Sequence, residues 1–278
     1  MNERVVQFGD GNRLHGILNQ AKGDGPNIIL FNAGIVHRIG AHRLNVKIAR
    51  HLASCGFNSL RFDLSGLGDS VAAPVGLGFE EQAVMDISQA MDCVTNEVGG
   101  DQFIAIGMCS GADNSYRAAL KDPRIKGIIL LDPYAYDNSA AAFENLVSRV
   151  TDVDRWARKA KKMAGLEKPK AVPATADEDD QARPIPPLEE FGADLENLCE
   201  TGTKIYVIYT GFVKNQITRA SQFFSTFGSF DFKSSISVDV FPEFDHTYTE
   251  LAGQKKLLSC LSSWLNEQFP VSSKDQDT

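Results

Sequence analysis

Several features that mark large classes of protein are missing from this chain. It has no apolar run near the roughly 20 residues that a membrane-spanning helix needs. Its first residues, MNERVVQFGDGNRLHG, carry no apolar stretch of the kind found in a secretory leader. These absences predict a soluble, cytoplasmic protein. Positive charge is in deficit, with 28 Lys and Arg against 36 Asp and Glu, a net charge of −8 and a pI near 5.2. Surfaces that hold nucleic acid or anionic membrane need clustered cations to displace counterions, so neither partner is expected. Cysteine is sparse. The five residues Cys55, Cys93, Cys109, Cys199 and Cys260 are odd in number and show neither C-x-x-C nor histidine pairing. Free thiols in a reduced compartment, without structural zinc, fit that pattern. Neither H-E-x-x-H nor G-x-x-x-x-G-K occurs, and no dinucleotide fingerprint is present, so no metal and no cofactor is expected.

What is present is alternation. VVQFGDGNRLHGIL reads as two short strands joined at Gly9, Asp10 and Gly11, predicting an opening hairpin. NIILFNAG, FNSLRFDLSG, QFIAIGMCSG, IKGIILLDP and KIYVIYTG are apolar runs of strand length that end in Gly, Asp or Asn. Such runs suit parallel strands covered on both faces. Between them, HRLNVKIARHLASCG places Leu44, Ile48 and Leu52 on one helical face and stops at Gly56. EEQAVMDISQAMDCVTNEVGG has acidic residues in its first turn and glycines after its last, matching the helix dipole and a C-terminal cap. The spacing therefore predicts an α/β fold, a doubly wound, mostly parallel sheet formed by residues 1–133 and 201–270.

The alternation breaks over 134–200, which is read as a helical lid or cap inserted above the sheet. Within it, AAFENLVSRVTDVDRWARKAKKMAG sets Phe143, Leu146, Val150, Val153 and Trp156 roughly on one face. The following prolines and acidic run, EKPKAVPATADEDDQARPIPPLEE, cannot continue a helix. Residues 271–278 read as a flexible tail.

GMCSGA, residues 107–112, follows an apolar run and offers two adjacent nucleophiles. A strand that turns at once into a helix crowds its own backbone, and the turn demands small residues two before and two after its centre. Gly107 and Gly111 meet that demand, and the residue between them is Cys109. Ser110 lies off centre, where its backbone N–H would serve as one oxyanion donor. A helix beginning beside the sulfur would favour thiolate. A serine nucleophile at Ser110 is the competing reading.

In this motif, in the order of its elements and in a histidine near the end, the chain resembles the α/β-hydrolase superfamily. More narrowly, residues 32–70 together with GMCSGA resemble the exosortase-associated hydrolase-like proteins, which also carry cysteine at the elbow. The resemblance implies an α/β-hydrolase fold and makes His246, in VDVFPEFDHTYT, the base that takes a proton from Cys109. It places the acid of a triad after the strand YVIYTG, yet Thr210 to Asn215 include no carboxylate. Asp132, one strand earlier in IILLDPYAYD, is favoured instead, and Asn215 as orienter of a cysteine–histidine dyad is the alternative. Asp245 adjoins His246 and would point elsewhere. The loop FNAGIVHR aligns with the superfamily's oxyanion loop, which would make the N–H of Gly34 or Ile35 the second donor. DLSGLGDS matches another superfamily loop, with Gly66 and Gly68 shaping its turn and Asp63 and Asp69 structural. His37 and Arg38 beside the cleft, and Phe143 and Trp156 in the insertion, are candidate substrate-binding residues.

Together these readings predict an acyl-transfer enzyme, an esterase, thioesterase or acyltransferase working through a Cys109 acyl-enzyme. Its partner would be a small ester or thioester, free or carrier-bound. A non-catalytic binding or scaffold protein that keeps the fold is the alternative, motivated by the missing carboxylate after YVIYTG.

Overall fold

A computed structural model describes residues 2–74, 76–136, 184–232 and 234–271. Eight strands form one sheet: β1 (Asn2–Phe8), β2 (Leu14–Gln20), β3 (Asn27–Leu30), β4 (Ser59–Phe62), β5 (Phe103–Met108), β6 (Ile125–Leu131), β7 (Lys204–Thr210) and β8 (Ile236–Phe241). Their order across the sheet is β1-β2-β4-β3-β5-β6-β7-β8. β1 and β2 form the expected hairpin, with Val6 opposite Gly16 and Phe8 opposite Leu14. β2 pairs antiparallel with β4, and every pairing from β4 to β8 is parallel.

The uninterrupted apolar runs have a direct cause. On β3, Ile29 faces one apolar layer while Ile28 and Leu30 face the other. β5 divides Phe103 and Ala105 from Ile104 and Ile106 in the same way, and β6 divides Ile128 and Leu130 from Ile129 and Leu131. A strand with side chains on alternate faces must be apolar throughout when both faces are covered.

The helices supply those covers. α1 (Leu44–Ser54) presents Leu44, Ile48 and Leu52 to one face of the sheet. The last helix lies on the same side and presents Leu257, Leu261, Trp264 and Leu265. On the opposite face lie α2 (Phe79–Val98), α3 (Ser110–Lys121), α4 (Leu188–Glu200) and α5 (Ala220–Thr226). The last helix, α6, spans Leu251–Gln268.

One boundary differs from the sequence reading. The final part of the stretch read as an insertion forms α4, whose Phe191, Leu195 and Leu198 are buried in the sheet's own apolar layer. Phe191 meets Tyr116 of α3 and Tyr134 edge-on, with both ring centroids 5.2 Å away. α4 is thus a covering helix of the sheet. Phe143, Trp156 and the proline-rich stretch up to residue 183 lie outside the described residues. Val271 packs beside the apolar layer under α6, and the rest of the expected tail is likewise outside.

Because β3 to β8 run parallel, their C-terminal ends share one edge. Asn32, Asp63, Cys109, Asp132 and Thr210 are all placed there by strand position, and the loop after β8 brings His246 to the same edge. Ligand sites of open parallel sheets form at this edge.

Candidate active site

Cys109 stands between β5 and α3 with φ 54° and ψ −124°, a conformation an L-residue rarely adopts. Such a backbone costs about 1–3 kcal/mol and persists only where its surroundings enforce it. The surroundings are visible. A methyl group on Gly107 would overlap the Gly111 carbonyl and the Ser115 hydroxyl. One on Gly111 would stand 2.8 Å from the Asn32 carbonyl oxygen. Cys109 N–H donates to the Leu131 carbonyl at 2.9 Å, tying the elbow to β6. The two glycines are therefore a steric requirement of the turn, and the residue they centre is the cysteine.

His246 joins the elbow to the next strand tip. Its Nδ1 is 2.6 Å from Asp132 Oδ2, which leaves Nε2 for the hydrogen bond with Cys109. Burial of the ring disfavours the imidazolium, but the hydrogen bonds and charges of Asp132 and Cys109 outweigh it. The balance raises the histidine pKa from 6.5 to about 9. Phe212 stacks on the imidazole with ring centroids 4.3 Å apart.

Asp132 is 1% exposed and has a positive φ of 47°. Its Oδ1 accepts from Thr210 N–H at 2.6 Å, and its Oδ2 accepts from the Thr210 hydroxyl at 2.7 Å as well as facing His246. A buried carboxylate must be surrounded by donors, and here β7 supplies two from one residue. The carboxylate missing after β7 is thus present on β6, with Thr210 of β7 bracing it. Asn215, the other candidate orienter, is exposed. Asp245 accepts from the N–H and hydroxyl groups of Thr247 and Thr249, so its carboxylate is tied into its own turn.

In the loop after β3, Gly34 N–H, expected as an oxyanion donor, donates to Ser110 Oγ at 2.8 Å. Ile35, the alternative donor, has a side chain that is 88% exposed. His37 and Arg38, expected as substrate-binding residues, both stand beside buried Asp63. Arg38 pairs with buried Asp63, and its Nη2 lies 2.6 Å from Asp69 Oδ2. His37 Nε2 is 2.9 Å from Arg38 Nη1 and 3.4 Å from Asp63 Oδ2. A sequence does not show which carboxylates will stand opposite these side chains. Thr210 and Phe212 were both passed over as functional, since neither carries a charge.

A cavity of about 160 Å³ adjoins Cys109 and His246 and is lined mainly by apolar side chains from the loop after β3, α1, β5 and β6. Among the described residues no helix is long and apolar enough to cross a membrane. None of the five cysteines is in a disulfide.

The arrangement of strands and helices is shared with known proteins. A family model described as alpha/beta hydrolase fold matches residues 27–162. The protein has the α/β-hydrolase fold. Among solved structures it is similar to the Pyrococcus furiosus esterase Pf2001, with a TM-score of 0.62 and 14% identity over 96% of this chain and 91% of that one. It is similar also to the α/β hydrolase GrgF from Penicillium sp. sh18, with a TM-score of 0.58 and 18% identity over 96% and 99%. A third is XC6422 from Xanthomonas campestris, an α/β serine hydrolase without lid, with a TM-score of 0.56 and 13% identity over 97% and 96%. No curated protein matches the sequence. At such identities the shared property is the α/β-hydrolase fold, and the chemistry must be argued from this chain's own residues.

Proposed function

We propose that the protein is an acyl-transfer enzyme, an esterase or thioesterase with Cys109 as nucleophile, His246 as proton carrier and Asp132 as the group that orients His246. The observation that carries this reading is the position of His246, bonded on one side to Asp132 and on the other to a cysteine held in a strained elbow. A raised histidine pKa at a thiol favours the imidazolium–thiolate pair near neutrality. The cysteine sulfur then attacks the carbonyl carbon of an ester or thioester, and the carbonyl electron pair moves to oxygen. Collapse breaks the bond to the leaving group, which departs with the proton from His246 Nε2. Water, or an alcohol or amine in transfer, then attacks the acyl carbonyl and gives its proton to His246, and collapse breaks the acyl–sulfur bond to return the Cys109 thiolate beside the imidazolium.

The oxyanion would take donors from the N–H of Ser110, in the first turn of α3 where no intrahelical acceptor exists, and from Gly34. Ser110 Oγ already places an oxygen 2.8 Å from Gly34 N–H, marking where the substrate oxygen would sit once the serine side chain rotates away. The missing carboxylate that motivated a non-catalytic reading loses its force, because Asp132 lies at hydrogen-bond distance from His246. The likeness to exosortase-associated proteins rests on GMCSGA and residues 32–70, and the cysteine at the elbow supports it.

The test is covalent. Incubation with activated esters and thioesters should add one acyl mass, located by peptide analysis on Cys109. Cys109→Ala should abolish the adduct, and Ser110→Ala should keep turnover within about tenfold, since losing one neutral hydrogen bond changes about 0.5–1.5 kcal/mol. An adduct on Ser110, or none on a folded protein, would sink the proposal.

A further inference from the structure

The cavity beside Cys109 has a shape and lining that limit what can enter it. Phe31, Leu44, Ile48, Ile106, Met108 and Leu131 make its walls, while Cys109, His246 and Thr247 stand among its polar lining groups. Four of the wall residues, Leu44, Ile48, Ile106 and Leu131, are also buried members of the layer between α1 and the sheet, so they have little room to move apart. A chamber of about 160 Å³ is comparable to an engineered apolar cavity of about 150 Å³ that holds benzene, a ligand of about six carbons.

We infer that this cavity is an acyl-chain pocket that selects short acyl groups, about four to six carbons long, with the carbonyl at the Cys109 end and the chain running between β5 and α1. The assignment of the carbonyl end rests on the acyl-enzyme reading above. The size limit rests on the cavity alone. Chains shorter than the pocket leave apolar wall in contact with water, and longer ones must displace side chains of the packed layer.

Two series separate the inference from the reading beneath it. Primary amides of three to ten carbons resist cleavage and report binding without chemistry. Their affinity for the wild-type protein, followed by calorimetry, should rise about fourfold per methylene, the value of one buried CH₂, and stop rising near six carbons. The hydrolysis of p-nitrophenyl esters should show the same limit, with kcat/KM highest at four to six carbons and at least about tenfold lower at ten. Ala41→Leu, which adds bulk to the lining, should shorten the limit by about two carbons, and Ile48→Ala should lengthen it by about as much. Ala41→Leu keeps the test usable if the cavity-forming Ile48→Ala unfolds.

Amide affinity that climbs unbroken to ten carbons, that ignores chain length, or that keeps its limit in folded Ala41→Leu overturns the pocket. A limit at six carbons in the amide series supports it, even if no ester or thioester ever labels Cys109. That second result would overturn the acyl-enzyme reading and leave the cavity as a site for short apolar ligands.

Discussion

Asp63 and Asp132 occupy equivalent places and do different things. Each follows a parallel strand, β4 and β6 respectively, at the same edge of the sheet, and each is almost wholly buried. Asp63 accepts from Asn32 Nδ2 at 2.9 Å, from Arg38 N–H at 2.6 Å and from Asp69 N–H at 3.1 Å, and it pairs with the Arg38 guanidinium. Its hydrogen-bond partners are backbone amides, an amide side chain and a guanidinium that keeps its proton at any ordinary pH, and the imidazole of His37, 3.4 Å away, lies at the rim of this cage. Asp132 has a similar cage, two donors from Thr210, but its charged partner is an imidazole that titrates and that touches Cys109. Burial and strand position therefore do not separate a structural carboxylate from a working one. The partner does, by whether it also touches a nucleophile.

The largest expected effect comes from exchanging each carboxylate for its amide. Asp132→Asn should keep the bonds to Thr210 in part and, above about pH 9 where His246 is neutral, leave thermal stability little changed. It should lower kcat by about 10²- to 10⁴-fold, because the amide can no longer stabilise the imidazolium and favours the wrong tautomer. Asp63→Asn should do the opposite. Breaking a buried ion pair by removing one partner costs about 3–5 kcal/mol, seen in denaturant unfolding, while kcat per folded molecule falls less than about tenfold. Similar losses of kcat in both variants would show that the loop anchored by Asp63 shares in catalysis and would break the contrast.

The pH profile sharpens the same distinction with a smaller effect. His246 titrates near 9 in the folded protein and near 6.5 when free of its partners. Its contribution to stability is therefore complete below about 6.5 and fades as the pH rises through 9. Acylation, which needs the imidazolium as proton donor, should fall along a limb centred near 9 in the wild-type protein. Asp132→Asn should move that limb toward lower pH. Asp63→Asn should leave it in place, and a limb that follows Asp63 instead would contradict the assignment.

Much of this site was legible because sterics write themselves into sequence. Gly107 and Gly111 are fixed by the overlap a methyl group would cause, so their spacing pointed to Cys109 without any knowledge of neighbours. The two-sided burial of β3, β5 and β6 likewise left continuous apolar runs. What sequence left open were facts about opposition in space. Sequence favours Asp132 over Asn215, but position alone does not show which of them meets His246, since both follow strands. His37 and Arg38 looked available until Asp63 and Asp69 were seen across from them. Phe191, Leu195 and Leu198 do recur at helical spacing, but the prolines just before them drew that stretch into the insertion, when their apolar face belongs to the sheet.

Phe212 carries the smallest predicted effect and tests how far the contrast extends beyond charge. Asp63 is held in a closed cage, whereas His246 has one face against a ring that is itself 59% exposed. Stacking of two rings contributes about 0.5–1.5 kcal/mol beyond buried area, so Phe212→Ala should lower kcat about two- to tenfold by loosening the imidazole. Phe212→Tyr should restore the rate, because it keeps the ring face. If the stacked ring only covered the site, Phe212→Leu would serve as well as Phe212→Tyr and the alkaline limb would not move. If the ring positions His246, Phe212→Leu should remain slow, and the limb should shift toward lower pH as the bonds to Asp132 and Cys109 loosen. A phenylalanine at this position would then hold the histidine from β7 while β6 supplies the charge, dividing between two strands the work that one carboxylate after β7 would otherwise do.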